Sequence, residues 1–249
     1  MGRAGRPGAD LVTPKLEQGS LDDDYPVNDQ SDPDFNVGGV KRILPDELQF
    51  EQIVSYMEAT YPRPSDPEDV DRYLALLPDR LTHAAMLMLG SAVDHTMPGV
   101  AYPKTVGVED TEFGTLFRPA RETGVWAVSY APLGEKAREF AWQPEVAGAA
   151  ELAGALIVDV DKPEALEPAI AYARAQGASE VAAWLLYENV PTTADRTILT
   201  FPDNTDDVSP NVLVQTPAEY HSTGEISTPA EARRRIRDTA QFLSAGPDR

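Results

Sequence analysis

Between Gly124 and Asp161 the apolar positions form two short runs around a helical segment. Val125 to Tyr130 is β-branched and aromatic, Glu135 to Leu152 is helix-compatible and alanine-rich with one tryptophan, and Ala155 to Val160 is apolar around Asp159, with Asp161 just beyond. Two such runs bracketing a helical pattern predict a βαβ unit, and hence a parallel sheet. Ligands of parallel sheets lie outside the carboxyl ends of the strands. Chemistry is therefore expected after Ser129, after Asp161 and after the strands that follow.

The same reading extends in both directions. Downstream, Pro163 to Gln176 predicts a helix with Leu166, Ile170 and Ala173 on one face and Gly177 as its stop. Val181 to Tyr187, Thr197 to Phe201 and Asn211 to Gln215 read as strands, and Pro229 to Ser244 as a closing helix with Ala232, Ile236, Thr239, Ala240 and Leu243 inward. Upstream, Val106 to Pro119 alternates enough for one or two strands with a turn. Three helices are predicted before it: one from Pro45 to about Tyr61, one opened by Ser65-Asp66-Pro67-Glu68 with Glu68 at a capping-box position, and one from about Asp79 to Val93. Residues 1–40, rich in Gly, Pro, Asp and Asn, read as an extended acidic arm, 41–99 as a helical section, and 100–249 as the α/β core.

Composition narrows the function classes. Asp and Glu number 41 against 21 Lys and Arg, a net charge of −20 that repels phosphate backbones and anionic lipid. Nucleic-acid and membrane-surface roles are therefore not expected. The chain has no cysteine, which removes disulfides, thiolate nucleophiles and cysteine-bound zinc. No signal peptide, myristoylation site or run of ~20 apolar residues is found, so a cytoplasmic protein is expected.

Isolated residues with chemical potential read mostly as structural. His83 stands among apolar neighbours with no second ligand at helical spacing, and Ser91, near Asp94 and His95, sits between glycine and alanine where two helices can approach closely. The DDDY, DQSDPD and DNTDD clusters lack the central glycine and closing glutamate of a calcium loop. The arginines of the last helix alternate with Glu231 and Asp238 and read as a solvated face. No metal or cofactor is expected.

The order of elements resembles an α/β-hydrolase of the lipase/esterase type with N-terminal cap helices. The resemblance rests on a hairpin ending in LFRP, then VWAVSY, a helix, ALIVDVD, a Pro-Glu turn into a helix, SEVAAW, ADRTILTFPD, PNVLVQT and TPAEARRRIRDTAQFL, over roughly residues 100–245. It implies ester hydrolysis through an acyl-enzyme, with an acid after the NVLVQT strand and a histidine beyond it; Glu219 and His221 stand there. The chain departs from the family at its motifs. The loop that would carry His-Gly-Gly-Gly reads Ala131-Pro132-Leu133-Gly134-Glu135, and the turn that would carry G-x-S-x-G runs into Glu188-Asn189-Val190-Pro191. Ser129, inside a strand, reads as a buried structural serine. The links from Glu188 to Arg196 and from Pro202 to Pro210 are too short for crossover helices, so a truncated second half with partly antiparallel strands is expected. The resulting expectation is an esterase-like protein with impaired or no catalysis, or a non-catalytic scaffold that binds a small apolar ligand or a protein partner.

Overall fold

The computed structural model describes residues 46–89, 102–203, 209–220, 227 and 229–245. The chain divides into two units, Met1–Ile43 and Leu44–Arg249, and the arm expected over residues 1–40 lies outside the described residues.

Three helices open the described part: α1 (Asp46–Thr60), α2 (Pro67–Ala75) and α3 (Leu77–Leu89). The cap of α2 is Asp66, one residue later than the capping-box reading places it, with Pro67 in the first turn. The Asp66 side chain accepts from Glu68 N–H at 3.0 Å. Met57, Tyr73, Leu74, Leu77 and Ala84 form a small core of their own, which Ala137 of the α/β section joins.

The α/β section holds β1 (Gly107–Asp110), β2 (Gly114–Arg118), β3 (Trp126–Tyr130), α4 (Glu135–Ala137), α5 (Gln143–Ala153) and β4 (Leu156–Val160). It continues with α6 (Leu166–Ala175), β5 (Val181–Leu186), β6 (Arg196–Thr200), β7 (Val212–Gln215), α7 (Pro217–Tyr220) and α8 (Pro229–Ser244). The strands form one seven-stranded sheet in the order β1-β2-β4-β3-β5-β6-β7. Strand alternation sorts its side chains. Ala127, Ile157, Trp184 and Ile198 face α5 and α8, whereas Val128, Val158, Leu185 and Leu199 face α6. The result is a three-layer α/β fold with a mostly parallel sheet of α/β-hydrolase type.

The antiparallel pairs lie at the beginning, between β1 and β2 and between β2 and β4. The expectation of antiparallel strands in the second half is overturned: β5 pairs parallel with β6, and β6 parallel with β7. A helix is one way to return to the start of a sheet, but not the only one. Residues 187–195, between Leu186 and Arg196, can reach roughly 30 Å when extended, enough to run back along one strand and step to the next. Val190 and Ala194 pack on the α6 face in place of a helix. Glu167 and Arg174 of α6 fasten the return, Glu167 accepting from Thr193 N–H at 2.7 Å and Arg174 donating to Thr193 O at 2.8 Å. Asp195 completes the fastening by accepting from Val181 N–H at 2.9 Å.

Candidate functional site

The carboxyl ends of β3, β5 and β6 converge beneath the cap helices, where a cavity of about 80 Å³ opens. Leu74 and Leu77 line it from the cap. Leu133, Trp142 and Leu186 add apolar wall, and Tyr187, Glu145, Thr200, Phe201, Ser227 and Arg235 bring polar atoms and rings.

A tight turn closes β5. Glu188 N–H donates to Leu186 O at 2.7 Å, a three-residue turn centred on Tyr187, whose φ is 63°. Such a backbone costs a non-glycine residue on the order of 1–3 kcal/mol and persists only when its surroundings hold it. Here they do: Tyr187 N–H extends the parallel ladder to Thr200 O at 2.8 Å. Phe201 repeats the arrangement at the end of β6, with φ 53° and its N–H on Gln215 O at 2.8 Å. The Tyr187 and Phe201 rings stack at 6.5 Å. Tyr187 and Phe201 thus mark two strained turns side by side at the carboxyl ends of β5 and β6.

The loop after β3 is folded on itself. Leu133 N–H donates to Ala131 O at 2.8 Å around Pro132. Where Gly134 leaves room, the cap inserts Asp71: a Cβ at Gly134 would lie 2.2 Å from Asp71 Oδ1. That carboxylate accepts from Ala137 N–H at 2.9 Å and sits at the positive end of the helical crossover (residues 135–153). The amides of Leu133 and Glu188, one in each loop, both donate within their own turns.

Two buried polar clusters support this end of the sheet. In the first, Asp159 of β4, fully buried, accepts from Ser129 Oγ at 2.5 Å, Trp142 Nε1 at 3.1 Å and Gln143 Nε2 at 3.0 Å, with Arg138 Nε at 3.8 Å. A π-helical turn over Arg138–Trp142 brings residues i, i+4 and i+5 of the crossover to one carboxylate. Burial raises the Asp159 pKa to about 6 against the lowering effect of these bonds and of Arg138. In the second cluster, Thr200 accepts from Trp184 Nε1 at 2.8 Å and donates to Gln215 Oε1 at 2.7 Å, and Gln215 Nε2 donates to Thr239 Oγ1 at 3.0 Å. Arg235 binds Glu145 through two nitrogens and Ser227 Oγ through a third at 3.1 Å. Burial opposes the charge of Arg235, and Glu145 more than offsets it, so its pKa is raised.

Of the residues singled out in the sequence, Ser129 is buried and bound to Asp159. Glu219 stands in the first turn of α7, where its carboxylate accepts from Thr216 Oγ1 at 3.2 Å and its N–H donates to that same oxygen at 3.3 Å. His221, His95, Ser91, Asp206 and Asp207 lie outside the described residues. His83 is exposed, with Nδ1 3.5 Å from Tyr61 Oη. No group of acids and histidines able to hold a metal ion occurs among the described residues. No helix among them is long and apolar enough to cross a membrane. The sequence reading missed Tyr187, Asp71, Asp159 and Arg235. Only the paired Ser129 and Asp159, one on each arm of the βαβ unit, left a trace in the pattern.

No family model matches this chain, and no curated protein does. Solved structures of esterases do. The structure of an arylesterase matches with 10% identity and a TM-score of 0.38, over 65% of this chain and 60% of its own. An esterase of the bacterial hormone-sensitive lipase family matches with 12% identity and a TM-score of 0.39, over 82% and 71%. Esterase LipW from Mycobacterium marinum matches with 15% identity and a TM-score of 0.33, over 75% and 66%. The chain therefore spans less than two thirds of the length of the arylesterase. The description of the fold rests on strand order and pairing alone.

Proposed function

We propose that this chain is an α/β-hydrolase-type scaffold that works without serine ester chemistry, in the cytoplasm, and that the cavity under its cap takes a small, mainly apolar ligand. The observation that carries this reading is Tyr187 at the strained turn after β5, flanked by amides already satisfied within their own loops. Losing one oxyanion donor costs on the order of 10²–10³ in rate, and losing the nucleophile costs more. A cavity of about 80 Å³ walled by Leu74, Leu77, Leu133 and Leu186 suits a molecule of a few heavy atoms. Its polar contacts would come from Tyr187 and Ser227.

The second reading is carboxylic-ester hydrolysis with His221 as base and Glu219 as its acid. Hydrolysis of p-nitrophenyl esters, run beside fluorophosphonate labelling with peptide mass spectrometry, separates the two. A cooperatively folded sample is expected to show neither turnover nor label, and to gain thermal stability with small apolar alcohols or amides. A labelled serine, with turnover lost in His221→Ala, would overturn the binding reading.

A further inference from the structure

The wall of the cavity under the cap carries a complete ion pair. Arg235 of α8 and Glu145 of α5 both line it, with side chains only 6% and 13% exposed. Arg235 Nε donates to Glu145 Oε2 at 3.1 Å and its Nη2 donates to Glu145 Oε1, a bidentate fork, while Nη1 donates to Ser227 Oγ at 3.1 Å. The guanidinium carbon lies 5.1 Å from the centre of the Phe201 ring, which lines the same cavity. These bonds leave capacity on both partners. They do not exhaust a guanidinium, since Nη1 and Nη2 each keep one N–H. A carboxylate has about four acceptor sites, and Arg235 takes up only part of those on Glu145.

We infer that the ligand of this cavity is a short aliphatic carboxamide, its carbonyl oxygen accepting from Arg235, its N–H donating to Glu145, and its alkyl group against Leu74, Leu77, Leu133 and Leu186. The inference rests on the proposed role of this cavity as the ligand site and names the ligand's class. Charge decides against an acid or an amine. Either ion would leave water to meet a pair whose charges already cancel, so nothing offsets its desolvation. A carboxamide is neutral and carries an acceptor and a donor on adjacent atoms, matching the donor and acceptor that Arg235 and Glu145 hold side by side. A ketone would satisfy the guanidinium alone. Both side chains are buried, so a small molecule inside the cavity reaches them and the surface of a second copy does not.

Titration of the full chain at neutral pH with isobutyramide, methyl isopropyl ketone and isobutyrate, three probes of one size and shape, tests it. Binding is followed by the indole N–H signals in NMR spectra, since Trp142 lines the cavity and Trp126 lies on the α6 face of the sheet. Isobutyramide is expected to move the Trp142 signal saturably, to leave Trp126 in place, and to bind about tenfold tighter than the ketone. Isobutyrate should bind more weakly than either. Glu145→Gln removes the balancing charge, so in that variant isobutyrate should gain about tenfold or more and overtake the amide. A ketone as tight as the amide, or isobutyrate as the tightest ligand of the wild type, would overturn the inference and leave the cavity as a ligand site. An unchanged ranking in folded Glu145→Gln would do the same, and if that variant does not fold, the wild-type ranking decides. If no probe moves Trp142, the proposed role of the cavity falls and the inference falls with it.

Discussion

Two crossovers leave the centre of this sheet and solve the same problem with opposite means. The link from β3 to β4 is helical over residues 135–153 and turns its π-helical segment around a buried carboxylate, Asp159. The link from β5 to β6 is the extended run 187–195, which gives the core only Val190 and Ala194 and is held by partly exposed side chains and backbone bonds. The first anchors itself through a group that is costly to bury, so its stability should respond to pH. The second anchors itself through hydrogen bonds at the rim, so it should respond to single-atom changes there. Both begin at the cavity under the cap, which is therefore lined by Leu133, Trp142 and Glu145 on one side and by two strained residues, Tyr187 and Phe201, on the other.

Trp184 is where the two sides meet, and breaking it should have the largest effect. Its ring packs edge-on against Trp142 of the helical crossover at 4.8 Å, and its Nε1 donates to Thr200 at the end of β6. Trp184→Ala is expected to cost about 3–5 kcal/mol in urea unfolding. Trp184→Phe keeps an aromatic ring and loses the bond, and should cost about 1–2 kcal/mol. Equal losses in the two variants would show that the indole nitrogen, not the packing, joins the two regions.

The pH response isolates the helical crossover. Asp159 has a folded pKa of about 6, above its unfolded value near 3.8. A carboxyl raised on folding contributes stability that is fully present below the unfolded value and is lost as pH rises through the folded one. Between about pH 4 and pH 6 this group should therefore remove on the order of 3 kcal/mol. Arg138 faces the carboxylate and favours its charged form, and Tyr102, whose own pKa is raised to about 12 chiefly by burial and then by Glu139, also feels the Asp159 charge. Subtracting the pH–stability curve of Asp159→Asn from that of the wild type should expose this fall. A flat difference curve would mean that the carboxyl is not buried as described.

Gly134→Ala probes the junction between the helical crossover and the cap. A Cβ there meets the Asp71 carboxylate and forces it off Ala137 N–H. A loss of about 1–2 kcal/mol is expected from the broken cap, together with faster proteolysis within residues 46–89. A double variant with Asp71→Gly should recover part of that loss, because the carboxylate and the Asp71 Cβ, 2.8 Å from the added Cβ, are both removed. Additive losses would place the strain elsewhere.

The contrast between the crossovers also sets what the sequence could disclose. The helical one was legible because two apolar runs and an alanine-rich helix repeat known periods, and the later strands, α6 and α8 were read from the same kinds of pattern. The extended one was not, because its span is governed by chain length and by three polar fastenings, Glu167, Arg174 and Asp195, that lie far apart in sequence. Link length judged against a helical crossover therefore misread the second half as partly antiparallel. The site was less legible still. A positive φ is usually announced by glycine, whereas Tyr187 and Phe201 reach it because ladder bonds on both strands impose it. Arg235 looked like one of four surface arginines, and only the packing of α8 against α5 turns it inward onto Glu145.

The smallest expected effect is also the sharpest test of how the extended crossover holds. Asp195 makes two kinds of contact: an ion pair with Arg174 at 3.1 Å, between side chains 43% and 37% exposed, and an acceptor bond from the N–H of fully buried Val181. An exposed ion pair contributes little, whereas an unsatisfied backbone N–H at a strand end costs about 1–2 kcal/mol. Asp195→Ala should therefore destabilise by about that amount and raise amide exchange at Val181. Asp195→Asn removes the charge, keeps the acceptor, and should change stability by less than about 0.5 kcal/mol. If Asn is as costly as Ala, the charge pair carries the return, and raising salt should then weaken the wild type by a comparable amount. If neither variant has an effect, Val190 and Ala194 hold the return by packing alone, and the rim bonds follow from that packing rather than cause it.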